Sequence, residues 1–277
     1  MGRSSSNPWD SGLNSAGRAK IGKRGLQQTM LTKAARIIEH PSIIRRKLRW
    51  YLEVLTKKQR ENRAEKYSIQ NNLDEVFSHG HSKEFAPNTF DLVNLHREIR
   101  QRKSKCVLEF GVGFSTIAMC DALYKNEIDG HGEGHLWVVD TSEKWIDNTR
   151  KKMPEHLRKY VEFIQGKAAV TEHNGQLCHA FEELPNISPD FIYLDGPGGD
   201  DVHGQYKGLG FKSDPYRRTV VSSDVLLYES SIAKGSRFLM IVDGRYNYVQ
   251  FLKRNLKRRY FVREYDLMKY STFELVE

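Results

Sequence analysis

The sequence predicts an α/β protein built on a doubly wound, mostly parallel sheet, with an N-terminal helical extension ahead of it. Two observations carry this reading. Apolar, β-branched runs recur at residues 106–110, 136–140, 161–164, 191–195 and 238–243. Between and after them lie segments of helical patterning, around residues 116–124, 145–152, 176–183, 219–232 and 248–256. Strands that alternate with helices pair in parallel and bury both faces of their sheet. The length, 277 residues with 39% hydrophobic side chains, suffices for one large core with an appendage.

Residues 1–25 are rich in Ser, Gly, Asn and basic residues without periodicity, which predicts a disordered basic arm. Residues 26–39 turn helical, and Pro41 punctuates them. A second helix follows, with Ser42 expected as its N-cap. Its Ile44, Leu48, Tyr51, Leu52 and Leu55 fall at three- and four-residue spacing and make one apolar stripe. That stripe is expected to dock on the main domain or on a second subunit, which would make a homodimer through the N-terminal helices; a membrane surface is the alternative. Beyond Thr56 the stripe gives way to charge. Residues 26–70 are read as the extension and residues 71–277 as the main domain. Residues 71–87, with His79 and His81, read as a connector, and residues 89–102 as a helix entering the first strand. Two β-rich stretches, 260–264 and 272–276, close the chain as a hairpin at one sheet edge.

The net charge of +9 is unevenly placed. Residues 1–105 carry 22 Lys/Arg against 10 Asp/Glu, whereas residues 106–277 carry 22 against 25. Such asymmetry suggests an anionic partner for the front of the chain, or a solvated helical face. Three cysteines, Cys106, Cys120 and Cys178, fit neither a disulfide framework nor a zinc site and read as reduced residues. No run of about 18 apolar residues is present to span a bilayer, and the N-terminus lacks the apolar middle of a secretion signal, so a cytoplasmic chain is expected.

In a doubly wound sheet ligands collect where the strands end. Four of the five predicted strands end on an acid: Glu109, Asp140, Asp195 and Asp243; the third ends at Gln165 and Gly166. After the first comes Glu-Phe-Gly-Val-Gly-Phe-Ser, residues 109–115, where Gly111 and Gly113 permit a tight turn and close approach of a ligand. Thr116 stands where a dinucleotide fingerprint has its third glycine, and no phosphate-binding G-x-x-x-x-G-K-[ST] is present. A carboxylate beside the turn suits a ligand with a cationic end.

With "LEFGVGFS", the second run "LWVVD" and the fourth, "PDFIYLDGPGG", the sequence resembles the class I S-adenosylmethionine-dependent methyltransferases over residues 89–277. The resemblance implies a Rossmann-like sheet, an enzyme of EC 2.1.1 type and S-adenosyl-L-methionine as cofactor. It implies that Glu109, Gly111, Gly113 and Ser115 cradle the methionine end, that Asp140 with Thr141 takes the ribose, and that a residue within 167–169 meets the adenine. Base N-methylating members commonly carry [DNS]-P-P-[FYW] after the fourth strand; this chain has "DGPGGD" and is more similar to small-molecule and saccharide O-methyltransferases. For a hydroxyl acceptor, Asp195 or His203 is the expected base, and Tyr216, Arg217 and Arg218 are expected to hold the substrate, the arginines through an anionic part. Asp195 and Asp243 could jointly bind Mg²⁺ as in catechol-type enzymes, but Gly244 replaces the Asn usual there and Arg245 could pair with both acids, so no metal is expected. One alternative makes the acceptor RNA or another nucleic acid, clamped by the basic front half with Trp50 and Tyr51 for stacking. Another makes the chain a non-catalytic scaffold.

Overall fold

The structure, a computed structural model, describes residues 41–78, 89–212, 220–244 and 246–276. The expected arm at 1–25 and the helix at 26–39 lie outside the described residues, as do His79, His81, Tyr216, Arg217, Arg218 and Arg245. The chain divides into two units, Met1–Leu48 and Arg49–Glu277. Of the first, the described part is the beginning of helix α1 (Pro41–Gln70). Pro41 is already helical, so Ser42 lies inside the described helix and not at the N-cap position expected for it.

The second unit holds the sheet. After α2 (Leu73–Ser78) and α3 (Thr89–Arg102), the chain runs β1 (Cys106–Phe110), α4 (Phe114–Ile128), β2 (His135–Asp140), α5 (Glu143–Lys152), a 3₁₀ turn and β3 (Val161–Gln165). It continues through β4 (Ala168–His173), β5 (Gln176–Phe181), β6 (Phe191–Leu194), β7 (Val202–His203) and α6 (Asp224–Tyr228). It closes with β8 (Leu239–Asp243), α7 (Tyr246–Asn255), β9 (Tyr260–Tyr265) and β10 (Tyr270–Leu275). Seven strands form one sheet in the order β3-β2-β1-β6-β8-β10-β9. Five are parallel, and β10 pairs antiparallel with both β8 and β9, the closing hairpin the sequence predicts.

The central strands read as unbroken apolar runs because both of their faces are covered. Val107, Phe191, Tyr193, Leu239 and Ile241 point to one side, where Leu95 and Ile99 of α3 and Ile117, Met119 and Leu123 of α4 close the core. Leu108, Phe110, Ile192, Leu194, Met240 and Val242 point to the other, against Tyr248, Val249, Phe251 and Leu252 of α7.

Two predicted helices are corrected. Within 176–183, Gln176–Phe181 form strand β5, paired antiparallel with β4 across His173↔Gln176. Asn174 (φ 50°) and Gly175 (φ 78°) make the left-handed two-residue turn that an Asn-Gly pair favours, and it overrides the helical spacing that follows. With β7, these strands form a second, three-stranded sheet, β5-β4-β7. In 219–232 only Asp224–Tyr228 is helical among the described residues. Residues ahead of it run alongside β5, with His179 N–H donating to Val221 O and Ser223 N–H to His179 O, both at 2.9 Å. The Asp224 carboxylate fixes the corner, accepting from Phe181 N–H (3.1 Å) and Ser222 Oγ (2.6 Å).

The third correction concerns docking of the α1 stripe on the main domain: Tyr51, Leu52 and Leu55 stay exposed. Within the second unit, α1 turns a polar face to the domain: buried Glu53 accepts from Asp266 N–H (2.9 Å) and Leu267 N–H (2.6 Å). Tyr67 Oη lies 2.9 Å from His96 Nδ1, and His96 Nε2 lies 2.9 Å from Asp121 Oδ2. Three hydrogen bonds join α1 to the domain here, and leaving their buried N–H and carboxylate groups unpaired would cost more than exposing leucines.

Candidate active site

A cavity of about 500 Å³ opens where β1, β2, β6 and β8 end. Small-molecule clefts run roughly 300–1,000 Å³. Its wall comes from the 111–115 turn, from Asp140, Thr141 and Ser142, from one side of α5, from the 195–198 turn, and from Asp91, Tyr193, Asp201 and Asp243. The parallel sheet places strand ends from distant parts of the sequence beside one another, which is how residues more than 130 positions apart, Gly111 and Asp243, meet there.

The two turns at the centre are locked together. The Phe110 carbonyl accepts from Asp195 N–H (2.9 Å) and Gly196 N–H (2.8 Å). A methyl group on Gly111 (φ +98°) would lie 2.9 Å from the Gly196 nitrogen, and one on Gly196 would lie 2.9 Å from the Gly111 Cα. Glycine is therefore required at both places. Gly113 differs: its φ of 178° is ordinary extended backbone, and the nearest atom to a methyl there is Ser115 Oγ at 3.8 Å. Nothing in the fold demands glycine at 113; the space its missing side chain leaves faces the cavity wall.

Glu109 stands behind that wall, not on it. It is fully buried, accepts from Ser115 Oγ and from Thr116 Oγ1 (2.6 Å), and Thr116 Oγ1 in turn accepts from Gly113 N–H at 3.1 Å. Burial pushes its pKa up to about 8, opposed by the two hydroxyl hydrogen bonds. The carboxyl thus acts chiefly as the anchor that ties the first turn of α4 to the end of β1.

Asp140 is on the wall. Its Oδ2 accepts from Val112 N–H and its Oδ1 from Ser142 N–H, each at 2.7 Å. Burial raises its pKa, and the backbone donors pull the other way. Thr141 lies beside it on the wall, while residues 167–169 do not line this cavity. Ser142 caps α5, its Oγ accepting from Trp145 N–H at 3.3 Å.

Of the two expected bases, Asp195 lines the cavity and His203 does not; His203 is exposed on β7, opposite Ala169. Asp243 lines the cavity with Asp195, and among the described residues no group of three or more His, Cys, Asp or Glu is arranged to hold a metal ion. Tyr193 and Asp91 are among the wall residues that escape the sequence reading. Tyr193 is nearly enclosed, and burial raises its pKa well above the usual phenol range, with the charges of Asp195 and Asp243 adding to the effect. Its place two residues before Asp195 on a parallel strand gave a usable signal, since alternate residues share a face. Asp91 comes from α3, and no strand-end argument reaches it.

No family model matches the chain, and no curated protein matches it. Among solved structures, it is similar to a Staphylococcus aureus protein assigned as a caffeoyl-CoA O-methyltransferase, at 13% identity over 82% of this chain and 98% of that one, TM-score 0.42. It is also similar to the O-methyltransferase TomG of Streptomyces achromogenes, involved in tomaymycin synthesis, at 14% identity, 82% and 97% coverage, TM-score 0.41. A Podospora anserina methyltransferase gives 11% identity, 80% and 96% coverage, TM-score 0.43. Likeness at this level carries no argument about what this chain does.

Proposed function

We propose that the chain is an S-adenosylmethionine-dependent methyltransferase whose acceptor is a hydroxyl of a saccharide or other small polar molecule. The observation that supports it most is the Asp140 carboxylate. It sits at the end of β2 on the cavity wall, oriented by the backbone N–H groups of Val112 and Ser142, with acceptor capacity left for a ligand hydroxyl. A ribose hydroxyl is a ligand group that such a carboxylate would hold. The residues present fit the cofactor: the space at Gly113 admits the methionine end close to the backbone, and Asp140 with Thr141 would hold the ribose.

The cofactor supplies an electrophilic methyl group carried on a positively charged sulfur. The protein's part is to bind, orient and take a proton. The 111–115 turn and α5 would fix one end of the ligand, and the Asp195–Gly198 turn borders the space beside it, with Tyr193 on the wall. Asp195 is the group on the wall suited to take the acceptor's proton. Tyr216, Arg217 and Arg218 remain the proposed substrate-holding residues of the 196–218 insertion.

Transfer of labelled methyl from S-adenosylmethionine to a panel of sugars and polyols tests the reading. Wild type is expected to label a hydroxylated acceptor, and Asp195→Ala to retain cofactor binding while losing turnover by about 10²-fold or more. Full activity of Asp195→Ala would remove it from the mechanism.

A further inference from the structure

We propose that the α1 face bearing Leu48, Tyr51, Leu52 and Leu55 docks on an anionic lipid surface. These four side chains are 59%, 59%, 61% and 61% exposed, although they fall at i, i+3, i+4 and i+7 and form one stripe. At 3.6 residues per turn Glu53, Ala64 and Tyr67 share the opposite side, and it is that side which the domain takes up. The stripe extends back to Ile44 and covers about 18 Å of helix at 1.5 Å per residue.

Charge selects the occupant. On the same helical projection the stripe is bordered by Lys47 and Lys58 along one edge and by Arg45 and Arg63 along the other, and all four are exposed. Among residues 41–63 the acids are Glu53, committed to the backbone of residues 266 and 267, and Glu61, paired with Lys57 at 3.6 Å. An apolar strip with two basic borders is complementary to a surface that offers hydrocarbon beneath a layer of negative charge. Leu52 and Leu55 would enter the acyl boundary while the longer basic side chains reach the headgroups. A second copy of the chain would bring basic borders against basic borders, and a nucleic acid would satisfy the borders while leaving the leucines in water.

The test is co-sedimentation of the full-length chain with phosphatidylcholine vesicles, with and without phosphatidylserine. Binding is expected to the phosphatidylserine vesicles, to weaken as salt is raised, and to fall by about tenfold or more in the Leu52→Glu/Leu55→Glu variant. That variant is expected to keep the wild-type melting temperature, because both side chains are exposed in the fold. Absence of sedimentation with phosphatidylserine vesicles would overturn the proposal. So would undiminished binding by the variant, a concentration-dependent dimer that the variant abolishes, or RNA binding that the variant abolishes. Sedimentation does not involve the cavity, so its failure leaves the methyltransferase reading where it stands.

Discussion

Glu109 shows how a residue's place can be read from the sequence while its surroundings cannot. Its position at the end of β1, two residues before Gly111, was legible; its burial was not, because one sequence does not reveal that Ser115 and Thr116 turn back to hydrogen-bond it. The folded-state pKa, about 8, lies above the ordinary value of 4.5, so folding favours the protonated form. The stability this gives is complete below pH 4.5 and is lost as pH rises through about 8. Glu109→Gln, which cannot ionise, is therefore expected to gain in melting temperature relative to wild type between pH 5 and pH 8.5. A constant difference across that window would mean the carboxyl is not protonated in the fold. Gly113 offers a cleaner separation of fold from site. Gly113→Ala is expected to unfold at the wild-type denaturant midpoint while losing cofactor affinity. Gly196→Ala, which drives a methyl into the Gly111 backbone, is expected to lose about 1–3 kcal/mol of stability in the same titration. Asp91 stayed invisible for a different reason: it belongs to a helix that precedes the sheet, and only the packing of α3 brings it to the cavity.

Among the elements, the five parallel strands were readable because burial on both faces leaves them no polar alternation to blur. β4 and β5 were not read as strands. Their partly exposed residues alternate weakly, and residues 176–183 carry a spacing that a helix would also use. The Asn174-Gly175 pair was the local signal that settles it, since both residues adopt positive φ and close the hairpin. Residues 220–232 failed for a related reason. Their apolar side chains fit a helix, but Asp224 serves the buried N–H of Phe181 and keeps the preceding residues extended. Asp224→Ala leaves that donor unpaired and is expected to cost about 1–3 kcal/mol in urea unfolding, with cofactor affinity unchanged. A variant as stable as wild type would show that water replaces the carboxylate there.

The second unit is a doubly wound sheet with its candidate site along the carboxyl ends of the parallel strands, and its own part of α1, from Arg49 on, is held by polar contacts rather than by the apolar stripe. The sheet and the line of acids along its edge follow from strand patterning alone. The use of α1 does not, because a periodic stripe shows which residues share a face and not whether that face meets the same chain. Everything proposed about activity turns on whether the cavity takes S-adenosylmethionine, and titration calorimetry measures that most directly. A saturable, one-to-one heat is expected for wild type, reduced at least about tenfold in affinity, near 1.4 kcal/mol, for Asp140→Asn, whose amide would oppose a backbone N–H. No binding by folded wild type, or equal binding by Asp140→Asn, would contradict the account.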